Sequence, residues 1–425
     1  MSLARHRDFR LLWIGETTSS LGSSVASVAL PLVAVVTLQA GTFTVGLLAA
    51  AAWLPWLLIG LPAGAWVDRR AKRPMMLACN VASMLFFVSV PVAAWFGFLT
   101  VGQLLVVALL GGAAKVFFAT AYRVYLPALV STGELLEANS KLQGSESAVQ
   151  VAGPGLAGLL AQAFGAVSGL LVDAVSFGIS VLCLRSIRAR ESRPERTTTD
   201  RLRDEIGDGL RFVVHDRFLR LLTVFGAISN IALMGYDSIA VVFLVRDLGA
   251  GPAMVGIVLA LASTGGVFGA LLASRISARF GSARGFLLCE VSAAPMLILG
   301  PLSGPGWGLA LFVAGGIGLG AGVVTSNVLT STFRQSYCPP ELFGRITAST
   351  AVLNYGAIPL GALLGGGLGQ ALGVRETLWI MAGVQLASMA VLLFSPLRTL
   401  REFPTAAARP PLRPRPPRRR LPAAR

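Results

Sequence analysis

The chain has 425 residues, of which 54% are hydrophobic and only 13% charged, and its mean hydropathy is +0.72. Soluble domains carry roughly twice that share of charged residues, so the composition excludes a soluble globular protein. A net charge of +16 would suit a nucleic-acid-binding domain, but the basic residues crowd into short segments between apolar runs. Cytoplasmic loops of membrane proteins have this pattern, so we predict a membrane protein without a nucleic-acid partner.

Apolar windows long enough to span a bilayer recur along the whole chain. The first follows the basic start Arg5 to Arg10 and resembles a signal peptide, but it continues to about Leu38, so we predict a retained helix. We expect an all-α membrane protein with twelve transmembrane helices. They cover residues 11–37, 45–66, 75–97, 102–122, 141–163, 168–186, 218–245, 253–274, 285–301, 307–331, 346–371 and 377–396.

The basic residues predict the orientation of these helices. With a cytoplasmic N-terminus, 33 of the 36 Lys and Arg residues fall on the cytoplasmic side. The positive-inside rule therefore places both termini in the cytoplasm, and we expect a multi-pass protein of a bacterial inner membrane.

Short stretches of the first half recur in the second half at a nearly constant offset of 207 to 210 residues. Four matches in the same order indicate two related six-helix halves. We predict an N-terminal half at 1–186, a basic linker at 187–217, a C-terminal half at 218–396 and a Pro-rich basic tail at 397–425. The tail suits a solvated segment on anionic lipid better than a nucleic-acid or SH3-type ligand. The four repeated stretches that indicate the two halves are residues 10–12 with 220–222, 46–50 with 256–260, 133–135 with 340–342, and 160–165 with 368–373.

Residues that would support catalysis or metal binding are sparse. The 4 Cys and 2 His residues are dispersed, so we predict no disulfide framework, no metal site and no cofactor. The Gly-rich stretches lack the Gly-Lys-Ser/Thr of a phosphate loop, so direct nucleotide drive is not expected. We predict that the protein is not an enzyme and has no catalytic residues.

The loop after the second predicted helix reads Gly64-Ala-Trp-Val-Asp68-Arg69-Arg-Ala-Lys72-Arg73. It resembles the loop signature of the major facilitator superfamily, with Ala71 in place of the second Gly. The resemblance implies that Gly64, Asp68, Arg69, Lys72 and Arg73 form a latch that breaks when the two halves rock.

The fifth helix contains Gly153, Pro154 and Gly158, which look like the Gly-Pro motif of antiporters in this superfamily. Together the motifs are similar to the bacterial efflux branch that includes siderophore and macrolide exporters. In drug antiporters of this kind the fourth helix carries an Arg, where this chain has Ala108. Lys115 lies seven residues further on, on about the same helical face, and is a substitute cation.

Charges inside a membrane are expensive and mark candidate functional sites. Glu16 and Glu146 lie roughly 9 Å, and Lys115 about 12 Å, from the cytoplasmic ends of their predicted helices. We predict that these three residues cluster and that one carboxyl carries a coupling proton; the alternative is a static ion pair. Asp237 is a second candidate nearer the outside. Asp173 and Glu290 are expected to form hydrogen bonds between helices.

These patterns predict a monomeric secondary transporter that exports a small amphipathic molecule, such as a drug, antibiotic or siderophore. Alternating access and exchange for protons are expected, with membrane lipids as surroundings. A lipid or lysolipid translocator is the main alternative within the same class. A membrane sensor or scaffold without transport is the alternative from a different class.

Overall fold

The structure is a computed structural model that describes residues 6–130, 134–188 and 210–405. Most of the predicted linker and most of the predicted basic tail lie outside these ranges. The described residues form twelve long helices. They are α1 Arg7–Leu32, α2 Thr42–Asp68, α3 Lys72–Trp95, α4 Val101–Leu129, α5 Leu135–Phe164, α6 Ser168–Ser186, α7 Arg217–Val242, α8 Pro252–Phe280, α9 Ser282–Ala293, α10 Leu309–Tyr337, α11 Pro340–Leu372 and α12 Val374–Leu393. Helix α9 continues to Leu302 through a 3-10 turn at Ala294–Ile298.

Eleven of these helical segments are long and apolar enough to cross a membrane, and α5 is the long helix that falls short in hydropathy. Its first half carries Glu137, Asn139, Lys141, Gln143 and Glu146 among its side chains. A polar helix of this kind is tolerated in a bilayer when its polar face lines a cavity. The all-helical membrane fold is thus confirmed, and α5 is its most polar member.

Several helices extend further than their apolar windows, mostly at one end of the bundle. Helix α4 continues to Leu129, α5 begins at Leu135 and α11 begins at Pro340, each six or seven residues beyond the prediction. The extra turns contain Arg and Glu, which end a hydropathy window but are good helix formers. We name this end, where α1 and α7 begin and α6 and α12 end, the terminal face.

The internal repeat is visible in the backbone. Helix α1 ends in a π-helical turn at Val33–Thr37, and α7 ends in one at Phe243–Asp247, 210 residues later. The turns close with matching bonds, since Ala40 N donates to Ala34 O and Ala250 N donates to Leu244 O, both at 2.8 Å. The two sequences therefore fold to the same local structure, as the constant offset predicts.

Many pairs of helices are in contact within each group of six, whereas the contact between the groups is concentrated at two helix crossings. Helix α1 packs on α5 and α6, and α7 packs on α11 and α12. The two groups meet mainly where α2 packs on α11 and where α5 packs on α8. The domain boundaries at 186 and 218 stay a prediction.

The buried apolar residues show where the two groups of six helices join. One cluster, at the face opposite the terminal face, combines residues of both, including Val25, Leu32, Val242 and Phe243. Near the terminal face there are two separate clusters, each drawn from one group. The bundle is therefore closed at the opposite face and divided at the terminal face.

The segment after α12 folds back onto the start of α9. Glu402 Oε2 accepts hydrogen bonds from Ser282 N at 2.9 Å and from Ser282 Oγ at 2.7 Å. Phe403 is buried against Phe333 and Phe286, with ring centroids 4.5 and 5.9 Å apart. A carboxylate at a helix N-terminus satisfies free amides and the helix dipole. This segment therefore ties α9, α10 and the end of α12 together.

The contact at Ser282 predicts a pH-dependent stability. The hydrogen bonds from Ser282 lower the pKa of Glu402 below its ordinary value near 4.5, so the folded state favours the carboxylate. The contribution of this carboxylate to the free energy of unfolding is present above pH 4.5 and is lost as the pH falls through the lowered pKa. Glu402→Gln is therefore expected to lower the melting temperature more at pH 7 than at pH 4, measured by thermal unfolding in detergent. An equal decrease at both pH values would show that the charge contributes nothing.

Candidate functional site

A polar cavity of about 630 Å³ lies between α1, α4 and α5 of the first six helices, in the half of the bundle next to the terminal face. Helix α1 contributes Glu16, Thr17 and Ser20, and α4 contributes Tyr122. Helix α5 contributes residues 139, 140 and 142–147, which explains why this helix is polar. The cavity thus collects hydroxyl, amide and carboxyl groups inside an otherwise apolar bundle.

A hydrogen bond between helices sets the relative position of the two carboxyl groups in this cavity. Trp13 Nε1 donates to Ser145 Oγ at 2.8 Å and fixes the register of α1 against α5. Glu16 is about one turn beyond Trp13, and Glu146 follows Ser145, so both face the cavity. Glu16 Oε2 is buried without a hydrogen-bond partner among the described residues. One carboxyl is therefore enclosed and the other, Glu146, is exposed.

Lys115 lies on α4 within electrostatic range of both Glu16 and Asp173. Its side chain is exposed and forms no ion pair within 4 Å in the described part of the chain. The described ion pair of the region is Glu137 with Lys141, at 2.8 Å on the surface of α5. The structure thus brings Glu16, Lys115 and Glu146 to one region, without the close pairing of a static ion pair.

Asp237 is not part of this cavity. It lies on α7 beside Tyr236, whose ring packs on Phe312 in the cluster at the opposite face. The Asp237 side chain is exposed and lines neither the polar cavity nor its walls. The structure therefore separates Asp237 from the three charges of the first half.

Two polar residues of the first six helices, one in the cavity lining and one outside it, were not among the predicted site residues. Tyr122 lines the cavity with its hydroxyl buried and without a hydrogen-bond partner among the described residues. It lies seven residues after Lys115 on the same face of α4, a spacing that the sequence does display. Asp173, expected only to join helices, is 1% exposed and lies against Gly22 of α1.

The basic residues of the predicted latch hold the ends of helices in this structure. Lys72 Nζ donates to Val67 O at 2.9 Å and to Arg70 O at 2.8 Å, which caps the end of α2. Arg73 donates to Leu184 O at 2.9 Å and to Arg185 O at 2.8 Å at the end of α6. Arg69 is exposed at the end of α2. No described side chain lies within 4 Å of where a Cβ on Gly64 would be, and the side chain of Asp68 lies outside the described part.

The Gly-Pro motif lies where α5 crosses two other helices. Gly153 contacts Ser24 of α1 so closely that a Cβ would overlap it. A Cβ on Gly158 would be 2.5 Å from Pro252 O and 2.7 Å from Gly256 Cα of α8. The motif therefore permits close packing at the crossing that joins the two groups of helices.

Comparisons with known proteins agree with this architecture. The family described as transmembrane secretion effector, of the major facilitator type, matches residues 1–416. The multidrug efflux pump Tap of Mycolicibacterium fortuitum is 28% identical over 404 residues, covering 93% of this chain and 97% of that protein. Macrolide efflux protein A of Streptococcus pyogenes is 21% identical over 390 residues, covering 90% and 94%. A crystal structure of a mutant of the nucleoside transporter NupG superposes with a TM-score of 0.80 at 12% identity, covering 91% of this chain and all of that one.

Proposed function

The chain belongs to the transmembrane secretion effectors of the major facilitator superfamily, and on this premise we propose that it exports a small amphipathic molecule in exchange for protons. The resemblance seen in the sequence is confirmed, and the protein is a multi-pass membrane transporter related to drug efflux pumps, not an enzyme. The substrate class, the coupling ion and the orientation are proposals.

The observation that carries the proposal is the arrangement of the buried apolar residues. One cluster contains residues of both groups of helices, and each of the other two clusters belongs to one group. A transporter that works by alternating access is closed at one face while its site is open to the other. The positive-inside rule supports a cytoplasmic terminal face and cytoplasmic termini. On that orientation the polar cavity is open to the cytoplasm, as the loading state of an exporter requires. We propose residues 1–186 and 218–396 as the two units that rock.

The charges near the cavity support proton coupling. Two carboxyl groups that share the field of one ammonium group do not both ionise easily, so one of them can take up and release a proton. We assign this role to Glu16 and Glu146, with Lys115 as the modulating cation and Asp237 as a separate candidate in the second half. The partners would be a small molecule, protons and the lipids of a bacterial inner membrane, with the chain acting as a monomer.

The relatives support an amphipathic substrate, since their names describe multidrug and macrolide efflux. The cavity lining is polar on α5 and carries two carboxyl groups, which suits a ligand with hydrogen-bonding or cationic groups. Glycines at the crossings of α2 with α11 and of α5 with α8 let the helix backbones approach closely, which allows the opposite face to close.

A flux measurement tests the proposal. The purified protein is reconstituted in vesicles with a pH dye inside, and lipophilic cations, macrolides and siderophores are added outside. We expect at least one compound to raise the internal pH, because substrate that enters displaces protons. Uptake without a pH change would contradict proton exchange. Movement of a labelled lysolipid alone would favour the lipid translocator, and no movement of any kind would favour a sensor or scaffold.

A further inference from the structure

A second cavity in the first six helices shares no lining residue with the polar cavity. It is a groove of about 680 Å³ between the end of α2, the first half of α3 and the middle of α4. Helix α3 packs mainly on α4 and α6 and has no extensive contact with the second group of helices, so it lies at the edge of the bundle. In a membrane, this groove faces the acyl chains of the bilayer.

The groove is apolar along its length and charged at one end. Its α3 side is formed by small or flexible residues such as Ala78, Ala82 and Met75, with Phe86 at the far end. Arg70 is the one charged residue among the described residues that line it. From Ala71 to Phe86 the groove follows α3 for about 20 Å, which is more than the roughly 15 Å of one leaflet. A single acyl chain thus fits from the headgroup level to the bilayer centre.

Arg70 is held in a position that suits a phosphate group. Its guanidinium lies 4.3 Å from the centroid of the Trp66 ring, and Trp66 in turn contacts Phe117, with ring centroids 5.4 Å apart. The Arg70 side chain is exposed and forms no hydrogen bond or ion pair with the described residues. Its neighbours Lys72 and Arg73 are occupied with backbone carbonyl groups. Arg70 therefore offers an oriented cation with unused donors at the end of a membrane span.

We propose that this groove binds one anionic phospholipid, with an acyl chain along α3 and the phosphate group on Arg70. Charge complementarity selects an anionic over a zwitterionic lipid, and the stacked Trp66 occupies the interfacial level at which tryptophan is enriched. The bound lipid would fill the space between α2 and α3 next to the loop that joins them. The inference is independent of the transported substrate and of the coupling ion.

Native mass spectrometry of the full-length protein in detergent tests this site. The protein is titrated with phosphatidylglycerol and with phosphatidylcholine of the same acyl chains. Arg70→Gln is expected to weaken phosphatidylglycerol binding about fivefold and to leave phosphatidylcholine binding unchanged. Ala82→Phe fills the groove and is expected to weaken the binding of both lipids.

The matched control is Arg279→Gln. Arg279 occupies the corresponding end of α8 and also lies over an aromatic ring, that of Phe280 at 5.5 Å. This variant is expected to bind phosphatidylglycerol as the wild type does. Equal weakening in Arg70→Gln and Arg279→Gln would show diffuse surface charge and overturn the site. The proposed site would also be overturned if Arg70→Gln bound phosphatidylglycerol with wild-type affinity. The same holds if the mass spectra showed a protein dimer instead of a protein–lipid adduct.

Discussion

Replacing both Glu16 and Glu146 with Gln is expected to reduce substrate-driven proton movement in vesicles by about 100-fold or more. The reason is that Gln keeps the size and hydrogen-bonding capacity of the side chain but cannot carry a proton, and a positioned proton-transferring group contributes at least that factor. Glu16 is the enclosed carboxyl, and one of its oxygens has no hydrogen-bond partner among the described residues, so the single Glu16→Gln variant is expected to have the larger effect. Glu146→Gln leaves Glu16 within electrostatic range of Lys115, so it is expected to change the pH dependence more than the maximal rate.

Glu137→Gln is the control for this experiment. Glu137 lies on the same helix, also within the polar half of α5, but it pairs with Lys141 on the surface and does not line the cavity. An exposed pair of this kind contributes little to stability, so this variant is expected to transport like the wild type. Proton movement that survives in the folded double variant would assign the carboxyl groups a structural role and move the search for the coupling site to Asp237.

The sequence predicts the helices and the polar cluster because both depend on local patterns. Apolar windows locate the core of each helix, and equal depth in neighbouring helices places Glu16, Lys115 and Glu146 at one level. The turns beyond these windows, such as residues 123–129 of α4, are missed because Arg123 and Pro127 end the apolar window although the helix continues. The sequence does contain a signal for Tyr122 as a residue of this region, because it lies seven residues after Lys115 and therefore on the same face of α4.

Other features depend on contacts between distant segments and leave no local signal. The fold of Glu402 and Phe403 onto Ser282 and Phe333 joins residues more than 60 positions apart, and nothing in the sequence around either partner predicts it. The surroundings of Ala108 in the fold also explain why this position has no cation. Ala108 is 5% exposed within the apolar cluster at the opposite face, so a cation there would be buried without a partner in this arrangement.

Adding one methyl group at Gly158 is expected to impair transport, although no charge is involved. A Cβ at this position would be 2.5 Å from Pro252 O and 2.8 Å from Gly256 N, and both atoms belong to the backbone of α8 and cannot move aside alone. Overpacking of this kind costs about 1 to 3 kcal/mol, which shifts a two-state equilibrium by about 5- to 150-fold. Gly158→Ala should therefore disfavour the conformation closed at the opposite face.

The control for this variant is Gly155→Ala, one turn earlier on α5. A Cβ there would be 3.5 Å from Ala260 Cβ, which is ordinary van der Waals contact. The readout is the distance between spin labels at Phe98→Cys and Trp307→Cys, two exposed positions at the opposite face, one in each group of helices. Gly158→Ala is expected to lengthen this distance and to lower the rate of substrate uptake, while Gly155→Ala leaves both unchanged. Because the crossing of α5 with α8 joins the two groups, an unchanged distance in Gly158→Ala would mean that the glycine contact does not determine which face is closed.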